Sequence, residues 1–249
     1  MRKIRIYTPQ SLHVGGIAVL NANAANHVIR VLRLSANAVL HLFNGDGNEY
    51  SARITETTKQ EVILNVEAAI STPFCNEALS LHLGQVISRG ERMDFTLQKA
   101  VELGVTAITP LFSEFCNVVL AGDRLEKRMS HWQGVIISAC EQSGRTDIPV
   151  LHPTQKIDAW MTKTEARYKL TLDPTGSHNL KSLAFEKQST DQIDFTLLIG
   201  SEGGLSDKEC RLASEQGFLG IRLGPRILRT ETAALATIAA LQSLYGDFN

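Results

Sequence analysis

The chain has 249 residues, 43% of them hydrophobic and 20% charged, enough for one large domain or for a small and a medium domain with real cores. Its 25 Lys and Arg against 26 Asp and Glu give a net charge of −1, which excludes a broadly basic nucleic-acid coat and leaves room only for a local basic patch. No run of 18 apolar residues predicts a membrane span, and the opening MRKIRIYTPQ lacks the apolar core of a signal peptide.

The first seventy or so residues read as a small β-rich module, a barrel. Ile4–Tyr7 and Val39–Phe43 are predicted strands, the second ending in Asn44-Gly45-Asp46-Gly47, a strong turn signal. Strands continue at Tyr50–Thr55 and Val62–Val66, and one helix, Ala22 to Leu34, interrupts them. Ser71-Thr72-Pro73-Phe74-Cys75-Asn76 reads as a linker, which sets the expected domains at residues 1–72 and 73–249.

From Leu79 strands alternate with helices. Leu79–Ile87 leads to a helix from Glu91 to Leu103, capped by Gly104, and Val105–Leu111 returns as a strand ending near Pro110. Asp123–Ser143 is a long helix and Lys169–Leu172 a strand closed by Asp173-Pro174. Phe195–Ile199, Ser206–Gln216, Gly220–Leu223 and Thr230–Leu244 complete the pattern. Such alternation predicts an α/β domain with a mostly parallel sheet covered on both faces.

Two glycine-bearing segments late in the chain carry the chemistry: LLIGSEGGLSDKE at 197–209 and RLGPRILRTETAALA at 222–236. Each runs from an apolar strand through a turn into a helix. Lying side by side at one edge of a parallel sheet, the two turns would offer backbone groups to a flat polar ligand. Gly200, Gly203 and Gly204 lack the spacing of a dinucleotide fingerprint, no P-loop occurs, and only 45 residues follow Gly204. Two ordinary tight turns are the plain alternative. Thr230 is the expected N-cap of the last helix, with Glu231 in its first turn and Arg229 beside the exposed amides. That helix is small and apolar nearly all round and needs cover from the sheet or from a second subunit.

Polar groups elsewhere admit two readings each. His27, Arg30 and Arg33, three apart on one helical face and backed by Arg2, Lys3 and Arg5, form either a phosphate-binding stripe or a solvated surface. Arg89 follows a strand directly, at the edge where α/β proteins bind ligands, or is simply exposed. Glu141, Gln142 and Arg145 form a polar cluster at the site, or Glu141 and Arg145 pair across a helix turn. The four cysteines, Cys75, Cys116, Cys140 and Cys210, show no C-x-x-C spacing, so no metal site or disulfide framework is expected and a reducing cytoplasm fits.

IGSEGG and LGPRILRTETA closely resemble the signature segments of the RsmE family, within the SPOUT class of RNA methyltransferases. The resemblance extends to HVIRVLR at 27–33, QKAVELGV at 98–105 and ACEQSGR at 139–145, and so runs in order over essentially the whole chain. It implies a PUA-like RNA-binding domain, a C-terminal domain tied in a deep trefoil knot, a cytoplasmic homodimer, and methyl transfer from S-adenosylmethionine to N3 of a uridine in 16S rRNA or the small ribosomal subunit. No metal or membrane is implied. Under that resemblance the cofactor contacts fall on Leu172, Leu198, Ile199, Gly200, Glu202, Gly203, Gly204, Leu223, Gly224, Ile227, Leu228 and Thr230. Arg229, Arg89, Glu202 and Glu231 are the catalytic candidates, arginine for a uridine anion and carboxylate for its proton. Arg2, Arg5, His27, Arg30, Arg33, Arg89, Glu141, Gln142 and Arg145 are the RNA contacts. Ser201 stands where the family usually has proline, which predicts a looser turn. A knotted enzyme acting on another RNA position, and a non-catalytic RNA-binding assembly protein, are the competing readings.

Overall fold

The structure, a computed structural model, describes residues 3–58, 60–70, 79–174, 176, 178–180 and 192–248. The expected linker at 71–76 and Arg2 lie outside the described residues. Two compact units emerge: Met1–Cys75 with Ile137–Ile148, and Asn76–Ile136 with Pro149–Asn249. The segment 137–148, which includes most of the ACEQSGR motif, therefore groups with the N-terminal residues and not with those that flank it in sequence.

In the first unit, β1 (Arg5–Tyr7), β2 (Ile17–Leu20), β3 (Val39–Phe43), β4 (Glu49–Thr57) and β5 (Val62–Ile70) form a sheet in the order β1-β3-β4-β5-β2. β1 runs parallel to β3 and the other pairings are antiparallel. The Gln10 side chain, just past β1, bonds both the N–H and the C=O of Val19 on β2, serving the edge of that strand. Alternate residues of β3, β4 and β5 (Leu40, Leu42, Ala52, Ile54, Val62, Leu64) are fully buried, each large one contributing about 1.5–3 kcal/mol. The Asn-Gly-Asp-Gly turn forms with Gly45 and Gly47 at positive φ and with the Asn44 and Asp46 side chains accepting from the backbone two residues on.

The predicted helix over 22–34 is shorter and changes character. Asn21 caps α1 (Ala22–Asn26), its side chain accepting from Ala24 N, and His27–Val31 then winds as a π-helix. Arg33, at φ 52°, ends the run in the left-handed region.

In the second unit β6 (Leu79–Val86), β7 (Ala107–Phe112), β8 (Val150–Leu151), β10 (Tyr168–Leu172), β11 (Ile193–Ile199) and β12 (Phe218–Ile221) lie in the order β12-β10-β11-β6-β7-β8, with the two-residue β9 (Gln155–Lys156) also on β7. Every pairing in this sheet is parallel. β11 is buried at six of its seven positions, as a strand covered on both faces should be. Pro110 lies inside β7 and does not end it. It falls between the residues that pair with β8 and those that pair with β9, where a missing N–H costs no ladder bond.

The helices are α2 (Glu91–Glu102), α3 (Asp123–Ser143), α4 (Ile157–Lys163), α5 (Asp207–Glu215) and α6 (Thr230–Tyr245). A capping box of Ser206 and Glu209 starts α5. α6 packs on α2, β6 and β11, burying Ala233, Ala234, Thr237, Ile238, Leu241 and Gln242. Gln242 Nε2 donates to Leu103 O at 3.0 Å, so close to Gly104 that a Cβ there would lie 2.2 Å from it. Gly104 is required by its φ of 88° at the end of α2, and a Cβ there would also push the Gln242 amide from its place on Leu103 O. No described helix is long and apolar enough to cross a membrane.

Candidate cofactor and RNA site

Because the sheet is parallel, the carboxyl ends of β12, β10 and β11 open on one edge, and the loops leaving them enclose a cleft of about 440 Å³. The two glycine turns meet at this edge, although the strands that carry them are not neighbours. β10 lies between their strands and adds Leu172, Asp173 and Pro174 to the wall. Of the expected contacts, Leu172, Ile199, Gly200, Glu202, Gly204, Leu223, Ile227, Leu228 and Thr230 line this cleft, as does Arg229. Leu198, Gly203 and Gly224 do not. Leu198 points into the core with Val86, Leu111, Trp160 and Phe218. Gly203 backs onto Phe115, and Gly224 supplies a φ of 78°.

The first turn closes on itself. Gly204 N–H donates to Ser201 O at 2.9 Å, which brings the Gly204 carbonyl carbon to 2.9 Å from where a Cβ on Gly200 would be, so only glycine fits there. Ser201 does not loosen the turn. It is buried, its hydroxyl donates to Phe115 O at 3.1 Å, and it accepts from Gly203 N–H at 3.3 Å. Hydrogen bonds thus hold here what a proline ring would hold by covalent constraint.

Thr230 is the first residue of α6, with Arg229 in the cap position, and its hydroxyl has a different partner from the one a cap would choose. It donates to Gly200 O at 2.6 Å and accepts from Gln85 Nε2 at 3.0 Å. Gln85, fully buried on β6, also donates to Val86 O. The Thr230 hydroxyl therefore joins the two loops, and Gln85, on a third strand, holds that hydroxyl in place, a role no sequence signal pointed to.

Glu202 Oε1 accepts from Arg92 Nη1 at 2.7 Å and from Arg89 N–H at 3.4 Å. Burial alone would raise its pKa, but its own backbone N–H, Arg92 and Arg89 more than offset this and hold the carboxyl below its usual range. Arg89 is exposed, touches Glu202 through its backbone and does not line the cleft; Arg92 does. Glu231 stands outside the cleft wall, with Oε2 buried and unpartnered among the described residues. Arg222 and Arg226, which the sequence reading passed over, line the mouth with Arg229, and all three are exposed.

In the first unit, His27, Arg30 and Arg33 are exposed, although the π-helical winding and the turn at Arg33 spread them off a single α-helical face. Arg5 lies inside. Its Nε donates to Glu49 at 2.8 Å, its Nη1 to Cys140 O at 2.6 Å and its Nη2 to Arg145 O at 2.9 Å, above the Phe43 ring. His41 bonds the other oxygen of Glu49. Burial raises the pKa of Glu49, and Arg5 and then His41 outweigh it, leaving a net lowering. Glu141 does not pair with Arg145. It accepts from Tyr7 N–H at 3.0 Å, with its pKa raised by burial, while Arg145 is buried against Asp147. Gln142 is exposed.

Residues 75–242 match the RNA methyltransferase domain family, and residues 20–67 the RNA methyltransferase PUA domain family. The ribosomal RNA small subunit methyltransferase E of Buchnera aphidicola subsp. Schizaphis graminum is 38% identical over 98% of both chains. Among solved structures, a ribosomal RNA small subunit methyltransferase E from Neisseria gonorrhoeae bound to S-adenosyl methionine has 39% identity, full coverage of both chains and a TM-score of 0.89. A Legionella pneumophila chain, named a candidate methyltransferase and solved with bound SAM, has 40% identity, full coverage of both chains and a TM-score of 0.93.

Proposed function

Because this chain belongs to the ribosomal RNA small subunit methyltransferase E family, we propose that it is a cytoplasmic, S-adenosylmethionine-dependent methyltransferase acting on N3 of a uridine in 16S rRNA. The observation that carries the reading is the cleft at the ends of β10, β11 and β12, built from the segments by which the family is recognised. Its volume suits a nucleoside-sized ligand. Leu172, Ile199, Leu223 and Leu228 offer apolar surface for an adenine, and the folded-back turn at Gly200 offers backbone groups. When bound, S-adenosylmethionine supplies an electrophilic methyl on its sulfonium. The deep trefoil knot and the homodimer belong to the same reading. Half-buried Leu235, Ala236, Ala239 and Ala240 on α6 support the dimer, which sedimentation tests.

The chain's part is to hold and polarise. Uridine N3 becomes nucleophilic as its proton leaves, and the negative charge that develops needs donors fixed in advance. Arg229 stands at the N-terminus of α6, so its guanidinium and the first free amides of the helix act on the same anion. Its side chain has no hydrogen-bond or ion-pair partner among the described residues and is available for that role. Glu202, ionised and clamped by Arg92, is better suited to anchoring the loop than to taking a proton, since a carboxylate of lowered pKa is a weak base.

The test is single-turnover methyl transfer to small-subunit RNA, with the modified nucleoside identified by mass spectrometry. Arg229→Ala should lower the rate by about 10²–10³ at saturating cofactor, and lysine should restore only part. Modification at an atom other than uridine N3 would remove the base assignment. Normal chemistry with collapsed cofactor affinity would move Arg229 to the cofactor loop.

A further inference from the structure

The cleft holds more positive charge than its proposed cofactor can use. Four arginines line it, Arg92, Arg222, Arg226 and Arg229, against two carboxylates, Asp173 and Glu202. Arg92 is committed to Glu202. The side chains of Arg222, Arg226 and Arg229 have no hydrogen-bond or ion-pair partner among the described residues. S-adenosylmethionine carries a sulfonium, an ammonium and a carboxylate, and is itself a net cation. Unpaired guanidinium groups around it repel it, and they stand at the mouth, where solvent weakens that repulsion without removing it. Arg229 has its explanation in the developing uracil anion. The cofactor's single carboxylate can engage at most one of Arg222 and Arg226, and its two cationic groups neither.

Resting on the reading above, the geometry points to Arg222 and Arg226 as a phosphate-binding rim that grips the RNA backbone beside the target nucleotide at the opening of the cofactor cleft. The loop is built to present them. Gly224, at φ 78°, and Pro225 turn the chain outward between the two arginines. Ile227, 85% exposed next to Arg226, gives a splayed base an apolar surface beside the phosphate contacts. A base methylated on its pairing edge has to be unpaired to react, and backbone contacts on either side of it are what hold such a nucleotide out.

The charge argument also fixes the sign of a coupling. RNA phosphates neutralise the rim, so RNA strengthens binding of the cationic cofactor, and by reciprocity the cofactor strengthens binding of RNA. Transfer of the methyl removes the sulfonium charge, and the product molecule no longer gains from the neutralised rim.

The experiment compares the parent with the double variants Arg222→Gln/Arg226→Gln and Arg222→Lys/Arg226→Lys. Filter binding of transcribed small-subunit rRNA is measured over a salt series, and cofactor titration calorimetry with and without the RNA. Losing two phosphate contacts should flatten the salt slope by about 1.4 to 1.8, with the lysine variant keeping the parent slope. The glutamine variant should bind S-adenosylmethionine alone at least as tightly as the parent and lose the tightening that RNA produces. An unchanged slope overturns the proposal, and so does a loss of cofactor affinity in the glutamine variant without RNA. A parent that binds RNA but transfers no methyl to it would sink the methyltransferase reading instead, while the slope comparison would still decide the rim.

Discussion

Arg5→Ala tests how the first unit is held together. Arg5 and Glu49 have side chains only 6% and 5% exposed, and the guanidinium reaches four acceptors, the Glu49 carboxylate and the carbonyls of Cys140, Glu141 and Arg145. Removing one partner of a buried ion pair costs about 3–5 kcal/mol, because the other charge stays behind without compensation. Here carbonyls in and just after the last turn of α3 lose the Arg5 donor as well, although Cys140 O keeps the Gly144 N–H, so the upper part of that range is expected, against a total domain stability of about 5–15 kcal/mol. Urea unfolding with hydrogen exchange is the assay. The midpoint should fall, and amides in 137–148 should lose protection before those of β3 and β4. Lysine restores the charge but lacks the planar fork that reaches these acceptors together, so it should recover only part. Acid provides an internal check. Glu49 has a lowered pKa in the folded state, so its contribution is present above the unfolded carboxyl pKa and is lost as pH falls through the folded value. Arg5→Ala should flatten that acid limb. A loss below about 1 kcal/mol with unchanged exchange at 137–148 would refute the argument.

Thr230→Val keeps the shape of the side chain but removes the donor to Gly200 O and the acceptor for Gln85; about 2 kcal/mol should be lost, roughly 4–8 °C in Tm, with weakened cofactor affinity, and calorimetry showing neither would refute it. His82 is half-buried beside Thr109 and His152 with its pKa pushed down to about 4, by burial first and by His152 second. It therefore stays neutral in the fold while the unfolded chain takes up a proton, so stability should fall as pH drops from about 6.5 to 4, by on the order of 2–3 kcal/mol. His82→Gln should remove that part of the pH profile in equilibrium unfolding.

What the sequence disclosed follows from the range of the interactions involved. The turn at 44–47, α3 and the strand-to-helix segments around the glycines depend on neighbours in the chain, and their residue types announce them. The three-loop cleft was half legible: which residues turn was evident, but strand order was not, and the place of β10 between β11 and β12 is a pairing across distance. Gln85 was silent because a glutamine in an apolar strand means nothing until Thr230, 145 residues on, is beside it. Arg5 misled for a similar reason. A cation next to Arg2 and Lys3 suggests a basic surface, and only the approach of 137–148 turns it inward. The short β8, β9 and α4 carry too few periodic residues to register at all.

The insertion of β10 between the strands that carry the two glycine turns makes the cleft depend on pairings far apart in the chain. The cleft is complete only when β12 is paired with β10 and Thr230 of α6 is seated against Gln85 and Gly200. These contacts join residues far apart in the chain, the kind that bear the largest loop-closure entropy and form late. Cofactor binding therefore requires the complete set of these pairings. A partly folded chain with a finished β11 turn has one wall of the cleft, and a ligand that recognises only the closed cleft selects molecules that have completed the whole sequence of steps.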